Sequence, residues 1–419
     1  MDFKQVCKIG CAFKQLKETA MAHFFSEIWM VIQVIIGYNL VLPFVLYLFY
    51  LLKGREIVTP TVVANRDYAI IVTAYEQTHT LPVVVESILA VNYSNYLVYI
   101  VADNCDVSQL AFSDDRVIVL RPEEVLKSNV RSHFYAINRF RRPHTHLTII
   151  DSDNLVDAAY LKELDKFFDS GFAAVQGVRK PKNLDTTIAC LDAARDIYYH
   201  FYDGEVLFNL GSSAALAGSG MAFTTDLYRE CLGKSDMSGA GFDKVLQYEI
   251  VRRNYRIACA PDAVVFDEKT SKTDQLVNQR ARWINTWFKY SWFGFSILGK
   301  GLVRLSTNQI LFGVMLLRPP LFIFLIMSIG CLCINAVLLN PVALWWAFAL
   351  VFFVAGFMIA LVTSQTDKRI FASLKDIPKF VGIQLKSLLM ARKANQRSVA
   401  TSHFHAAKID ELNKGKHEI

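Results

Sequence analysis

The sequence predicts an α/β domain with a doubly wound sheet, flanked by membrane-crossing helices. Three observations carry that expectation. From Asp67 to about Trp287, short apolar runs alternate with helix-like runs, the pattern that builds a parallel sheet from βα units. Three other runs, 28–52, 321–339 and 342–362, are almost wholly apolar and long enough to cross a hydrocarbon core of about 30 Å. At least two of the strand-like runs end in aspartate, which places carboxylates in the crevice beyond the carboxyl ends of the sheet, where open α/β sheets bind ligands.

The totals agree with this division. Of 419 residues, 53% are hydrophobic and only 20% charged, and the mean hydropathy of +0.28 is high for a wholly soluble chain. The net charge of +7 owes much to the tail after Thr366, with Lys368, Arg369, Lys375, Lys379, Lys386, Arg392, Lys393 and Arg397. A basic flank beside apolar spans suits anionic lipid on the cytoplasmic side. No basic stretch interleaved with aromatics suggests nucleic acid as a partner. The eight cysteines show no C-x-x-C and no zinc spacing, as expected of reduced thiols facing the cytosol.

In order along the chain, 1–27 mixes four lysines with Phe3, Val6, Phe13, Leu16 and Phe24, an amphipathic interfacial pattern. The run 28–52 is broken only by Gln33, Asn39 and Pro43 and is expected to span the membrane. A globular domain over 53–300 begins with the strand YAIIVTAY (68–75) and a helix over 81–89. A second strand runs to Asp103, a third covers 116–120, and a helix carries Arg131, His133 and Tyr135. His144 and His146 read as surface residues. After another strand comes a long helical stretch with an aromatic cluster at 198–202, more typical of a core than of a ligand platform. The turn Gly218-Ser219-Gly220 is too short for a nucleotide loop.

The stretch LTIIDSDNL (147–155) is a buried strand running into Asp151 and Asp153. Two carboxylates this close repel unless a cation or proton lies between them, and Mg²⁺ or Mn²⁺ with substrate phosphates fits that need. The alternative is an Asp-rich turn in which the side chains only close the chain. Further on, Asp243 opens a helix after a glycine-rich break, and 256–268 reads as strand, turn at Pro261-Asp262, and strand. In QLVNQRARWINTWF, Gln279, Arg282 and Trp283 share one helical face. Arg offers planar charged donors to phosphate and Trp stacks on apolar sugar faces, although such a helix could also simply lie on a membrane. A segment over 301–320 reads as interfacial, with 309–317 either an interfacial helix or an extension of the next span; the hairpin 321–339 and 342–362 turns at Asn340-Pro341, and 363–419 is a cytoplasmic tail with an amphipathic helix over 377–390 lying on the inner leaflet.

The series Tyr75-Glu76, Asp103, Asp151-x-Asp153, Asp243 and Gln279-x-x-Arg282-Trp283 resembles the family-2 glycosyltransferases of GT-A fold. Within them it is similar to the membrane-embedded branch of cellulose, chitin, hyaluronan and poly-N-acetylglucosamine synthases, whose plan ceramide glucosyltransferases share. The resemblance covers about Tyr68 to Trp287 and implies a doubly wound mixed sheet of GT-A type. It implies that Tyr75, Glu76, Asp103 and Asp151 hold a UDP-sugar, with Asp103 on the base or ribose. It implies Asp153 as ligand of Mg²⁺ or Mn²⁺, Asp243 as general base, and Gln279, Arg282 and Trp283 over the diphosphate and at the acceptor mouth. One position departs: Phe242 stands where the family has Glu, and Lys244 follows Asp243. A neighbouring ammonium makes a carboxylate a poorer proton acceptor unless the site is dry, which leaves Glu249 as a substitute base.

The expected activity is inverting transfer from a UDP-sugar to a saccharide at the membrane, in polysaccharide synthesis; the alternative is one sugar moved to a membrane lipid. Three spans are few for a polymer channel, so the first reading calls for a homo-oligomer or an export partner subunit. A non-catalytic sugar-nucleotide sensor is disfavoured by the full set of acidic positions.

Overall fold

The computed structural model describes residues 3–56, 58, 65–235, 237, 239–392, 394 and 409. They form two compact units, one from the chain up to residue 45 with 319–358, the other from 46–318 and 359 onward.

Helix α1 (Phe3–Lys53) opens the chain as a single helix, covering both the expected interfacial segment and the first span. The side chains of 3–19, on which the expected amphipathic pattern of 1–27 mostly rests, lie outside the described residues. The sheet-bearing unit then runs β1 (Tyr68–Tyr75), α2 (Leu81–Leu89), β2 (Tyr96–Asp103), β3 (Val117–Leu120), α3 (Asn129–Ile137), β4 (His146–Asp151), β5 (Leu155–Val156), α4 (Tyr160–Asp169), β6 (Ala174–Pro181) and α5 (Thr187–Tyr199). A π-type stretch follows, then the single turn α6 (Leu207–Asn209), β7 (Met221–Thr224), α7 (Thr225–Leu232), α8 (Phe242–Arg252), β8 (Ile257–Asp267) and α9 (Thr273–Tyr290).

The strands form one sheet in the order β3-β2-β1-β4-β7-β6-β8-β5. β1 pairs in parallel with β2 and β4, and its first five residues are all buried, which explains an apolar run without alternation. β7 is antiparallel to both β4 and β6, so the sheet is the mixed one of the GT-A type and not the wholly parallel one that alternation alone suggests. The two strands expected over 256–268 are one. Pro261 and Asp262 sit in a bulge, with Ala260 opposite Gly177 and Val264 opposite Val178. A Cβ at Gly177 would stand 2.3 Å from the Ala263 carbonyl oxygen, so this bulge needs a glycine beside it.

His144 and His146 are buried, not on the surface. His144 Nδ1 lies 2.8 Å from Asp67 and its Nε2 lies 3.0 Å from the Tyr99 hydroxyl, so partners replace water. The His146 ring packs edge-on against Phe168 at 4.4 Å. Burial pushes His146 down to about 4 and His133, on α3, down to about 3 from an ordinary 6.5. Both pKa values lie below those of the unfolded chain, so the unfolded chain binds more protons across that interval. Their stabilisation is complete above pH 6.5 and is lost as pH falls toward 4 and 3, at about 1.4 kcal/mol per pH unit for each histidine. Melting temperatures in neutral detergent should fall between pH 6.5 and 4.5, with a shallower slope in His133→Phe; an unchanged slope would contradict this.

Three more helices follow, α10 (Trp292–Arg304), α11 (Thr307–Leu317) and α12 (Leu321–Val337), and then α13 (Val342–Thr363). Residues 23–53 of α1 and all of α13 are long and apolar enough to cross a membrane; α11 and α12 meet that test only as a pair interrupted at Arg318-Pro319-Pro320. Within their unit α1, α12 and α13 share one polar knot. Gln33 Oε1 accepts from Asn335 Nδ2 at 2.6 Å and from Trp346 Nε1 at 2.8 Å. Polar groups without water must find one another, which accounts for a glutamine in an apolar run.

Past α13 lie α14 (Lys368–Ser373) and α15 (Ile377–Met390). Instead of turning all its apolar residues to a leaflet, α15 places Phe380, Ile377 and Ile383 against Leu276 of α9 and Leu191 of α5. The C-terminal segment therefore clamps the helix that carries Gln279, Arg282 and Trp283. Phe380→Ala should destabilise this clamp by about 3 kcal/mol and loosen α9, because a buried ring is lost from a small cluster. Hydrogen exchange checks it: faster exchange in α9 but not in β1 is the expected result.

Candidate active site

The site forms at the carboxyl ends of β2, β1 and β4. The register sets Tyr75 opposite Asp103 and Thr73 opposite Asp151, so the acids that end two strands flank the end of a third. Just beyond, Glu76 and Asn104 both adopt left-handed backbone, with φ of 61° and 53°, which costs energy for side-chain-bearing residues. They hold each other there. The Glu76 amide donates to the Asp103 carbonyl at 3.2 Å, and Asn104 Nδ2 donates to Glu76 Oε1 at 3.3 Å. The Asp103 carboxylate, 3% exposed, accepts from the amides of Leu126 at 2.9 Å and Lys127 at 2.8 Å. It thereby ties the loop before α3 to the crevice rim.

The Gly218-Ser219-Gly220 turn positions the D-x-D segment. Ser219 Oγ accepts from the Asp151 amide at 3.1 Å and from Asn154 Nδ2 at 2.8 Å, and the Gly220 amide donates to the Ile149 carbonyl. Gly220 has φ of 66°, and a Cβ there would meet Val265 at 2.8 Å. From β6's end, Lys182 Nζ donates to the Asp153 carbonyl at 3.0 Å and pairs with Glu268. Asp153 is 7% exposed. Among the described residues no three His, Cys, Asp or Glu side chains converge on a metal position. Asp151 and Asp153 offer hard oxygen donors, and Mg²⁺ or Mn²⁺ commonly takes only one or two carboxylates and completes its shell with substrate phosphate and water. On donor chemistry the residues fit such an ion.

Asp243 lies in the first turn of α8, after Gly241 at φ of 100°. A Cβ on Gly241 would stand 2.7 Å from Tyr290 and 2.8 Å from Thr286, so the base candidate's helix begins directly against α9. Lys244 Nζ lies 3.3 Å from Asp243 Oδ2. Phe242 is a core residue, its ring 5.1 Å from that of His133, which explains the absence of a second acid there. Glu249 is engaged by Arg252 and Arg253 on its own helix.

On α9, Gln279 is linked to Thr270 at 3.5 Å. Arg282 is half-buried, and burial pushes its guanidinium below the ordinary value, though arginine keeps its charge. Trp283 is not a bare platform: the guanidinium carbons of Arg280 and Arg195 stand 4.1 and 4.6 Å from its ring. Arg280 in turn contacts Asp192 on α5.

One half-buried residue that sequence reasoning passed over links these parts. Arg179, on β6, lies 3.5 Å from both Asp196 and Asp267. Burial pushes its guanidinium down, and the carboxylates of Asp267, Asp196, Asp151 and Asp243 more than reverse this, leaving it above the ordinary value. Asp151 and Asp243, almost a hundred residues apart, thus act on one cation. Two signals were present: Arg179-Lys180-x-Lys182 at a strand end, and Asp192-x-x-Arg195-Asp196 inside a helix.

A family model described as glycosyltransferase like family 2 matches residues 65–286. Among solved structures, a mannosyltransferase from Pyrobaculum calidifontis, PcManGT, in complex with GDP-Man and Mn²⁺, is 15% identical and superposes with a TM-score of 0.57. The match covers 88% of this chain and 100% of that one. Residues 1–349 of S. aureus TarS, in complex with UDP-GlcNAc, are 14% identical over 79% of this chain and 90% of theirs, with a TM-score of 0.39. No curated protein matches the sequence. The first likeness speaks for the fold.

Proposed function

Because the chain belongs to the family-2 glycosyltransferases, we propose that it transfers a sugar from a UDP-sugar to a saccharide acceptor at the cytoplasmic face of a plasma or inner membrane, with inversion, in polysaccharide synthesis. The observation that supports this reading is the placement of acids from distant segments: Asp103 and Asp151 end the two strands that flank β1, and the helix whose first turn holds Asp243 packs against α9, which carries Gln279, Arg282 and Trp283.

In the proposed reaction Tyr75, Glu76, Asp103 and Asp151 hold the nucleotide sugar. Asp243 accepts the proton of the acceptor hydroxyl as its oxygen attacks the anomeric carbon. The bond to the diphosphate breaks on the opposite face, and the nucleoside diphosphate leaves with the electron pair. An α-linked donor gives a β-linked product. Arg282 and Gln279 face the charge that grows on the leaving group, and Trp283 borders the acceptor. A divalent ion held by Asp153, Mg²⁺ or Mn²⁺, supplies Lewis-acid stabilisation of that charge when bound.

The number of spans favours a second reading. Among the described residues, two helices long and apolar enough to span, or three if the interrupted pair counts as one, are few to enclose a polymer channel. Transfer of a single sugar to a membrane lipid needs no channel, whereas polymer export calls for a homo-oligomer or a partner subunit. The test is product analysis with purified full-length protein in detergent, Mn²⁺ and a panel of UDP-sugars. A ladder supports the polysaccharide reading, a single glycolipid the second, and no product from any donor contradicts both.

A further inference from the structure

The residues between β3 and α3 touch both the acid proposed to hold the nucleotide and the helix that carries the proposed base. The Leu126 amide donates to Asp103 Oδ1 at 2.9 Å and the Lys127 amide to Oδ2 at 2.8 Å, so each carboxylate oxygen holds one residue of the loop. Lys127 has φ of 47°, a left-handed backbone that a lysine keeps only where its surroundings hold it. The next residue, Ser128, is buried and caps α3. Its Oγ accepts from the Arg131 amide at 3.3 Å and donates to the carbonyl of Met237, in the stretch that leads into α8.

Further along α3, His133 makes a second contact with the same helix. Its ring stands edge-on 5.1 Å from that of Phe242, the first residue of α8, and its Nδ1 lies 2.7 Å from the Tyr228 hydroxyl of α7, which fixes the ring. Asp243 follows directly. The amides of Lys244 and Val245 close the first turn of α8 on the Gly241 carbonyl, at 3.1 and 3.2 Å. On its other flank that turn meets Tyr290 and Thr286 of α9. The turn carrying the proposed base is thus held from two sides, by α9 and by the segment anchored on Asp103.

We infer that Ser128 is a positioning residue through which nucleotide occupancy at Asp103 seats the first turn of α8, and with it Asp243. The inference rests on the reading of the crevice as a nucleotide-sugar site and deepens it. A nucleotide group that donates to the Asp103 carboxylate restricts its oxygens, and with them the amides of Leu126 and Lys127. Ser128 is the next residue, and its hydroxyl carries the restriction to Met237. A base already seated when the acceptor arrives spares the transition state the entropy of fixing it.

The test is hydrogen exchange and steady-state nucleotide release with full-length protein in neutral detergent and Mn²⁺, comparing wild type, Ser128→Ala and Ser128→Thr. UDP should slow exchange over 241–246 in wild type. Ser128→Ala keeps the Leu126 and Lys127 amides on Asp103, so UDP should bind within about twofold of wild type while the slowing over 241–246 is lost. With the best UDP-sugar of the panel, kcat should fall about fivefold, the scale of one hydrogen bond, and donor KM should stay nearly unchanged. Ser128→Thr retains the hydroxyl and should restore both the slowing and the rate. Loss of the α3 cap alone would lower the melting temperature and leave the response of 241–246 to UDP intact. If UDP binds wild type without slowing exchange there, or slows it equally in Ser128→Ala, or if Ser128→Ala turns over at the wild-type rate, the link is refuted while the transferase reading stands. If wild type binds no UDP and turns over no donor, the transferase reading fails and the link falls with it.

Discussion

Replacing Asp243 with Asn is expected to slow sugar transfer by about 10²–10⁴-fold while donor affinity stays within about twofold of wild type. The size follows from general base catalysis: the amide keeps the shape of the side chain but cannot take the proton. Two features single out this acid. It lies in the first turn of α8 after Gly241, which α9 approaches so closely that a Cβ would fall 2.7 Å from Tyr290, so its place is set by the Tyr290 and Thr286 side chains packed on that glycine. The substitute base, Glu249, is spoken for by Arg252 and Arg253. Lys244 at 3.3 Å makes a sharper version possible. Lys244→Met removes the neighbouring ammonium and leaves the carboxylate, so it should retain far more activity than Asp243→Asn. Comparing kcat and donor affinity for the two variants checks the assignment; near-normal transfer by Asp243→Asn would overturn it.

Asp153→Ala carries the second large effect. Mn²⁺ should no longer tighten donor binding, and turnover should fall by about 10³-fold, equivalent to roughly 4 kcal/mol of lost charge stabilisation. The segment itself should stay in place, because what anchors it is main-chain and neighbouring contact: Ser219 on the Asp151 amide and Lys182 on the Asp153 carbonyl. The variant therefore separates the carboxylate's chemistry from the strand's geometry. Donor titrations with and without Mn²⁺ provide the check. Tightening by Mn²⁺ equal to that of wild type would remove Asp153 from the metal's ligands.

Much of the framework was legible because period and burial write it locally. β1, α2 and α15 begin and end at the expected residues: β1 is a compact apolar run that ends before Glu76, and a proline stands in the first turn of each of the two helices. The strand ends at Asp103 and Asp151 followed from the same logic. Errors arose where a long-range partner overrules the local signal. Pro261-Asp262 looks like a turn, yet it bulges from a continuous strand because β6 supplies a slipped register and a glycine. His144 looks exposed until Asp67 and Tyr99 close on its two ring nitrogens. The apolar face of α15 suits a leaflet, and α9 and α5 take part of it instead. The chain of charges from Arg280 to Asp267 left only local traces, such as Asp192-x-x-Arg195-Asp196, for its members come from four elements and only the fold brings them together.

The central claim is that acids from separate strands and helices converge to run nucleotide-sugar chemistry in one crevice. Nucleotide release from a panel of UDP-sugars, by purified full-length protein with Mn²⁺ and acceptor present, tests it most directly when wild type, Asp153→Ala and Asp243→Asn are run side by side. Fast release by wild type from at least one donor, with both variants lower by about 10²-fold or more, is the predicted result. Equal release by all three proteins, or none by wild type from any donor, would contradict it.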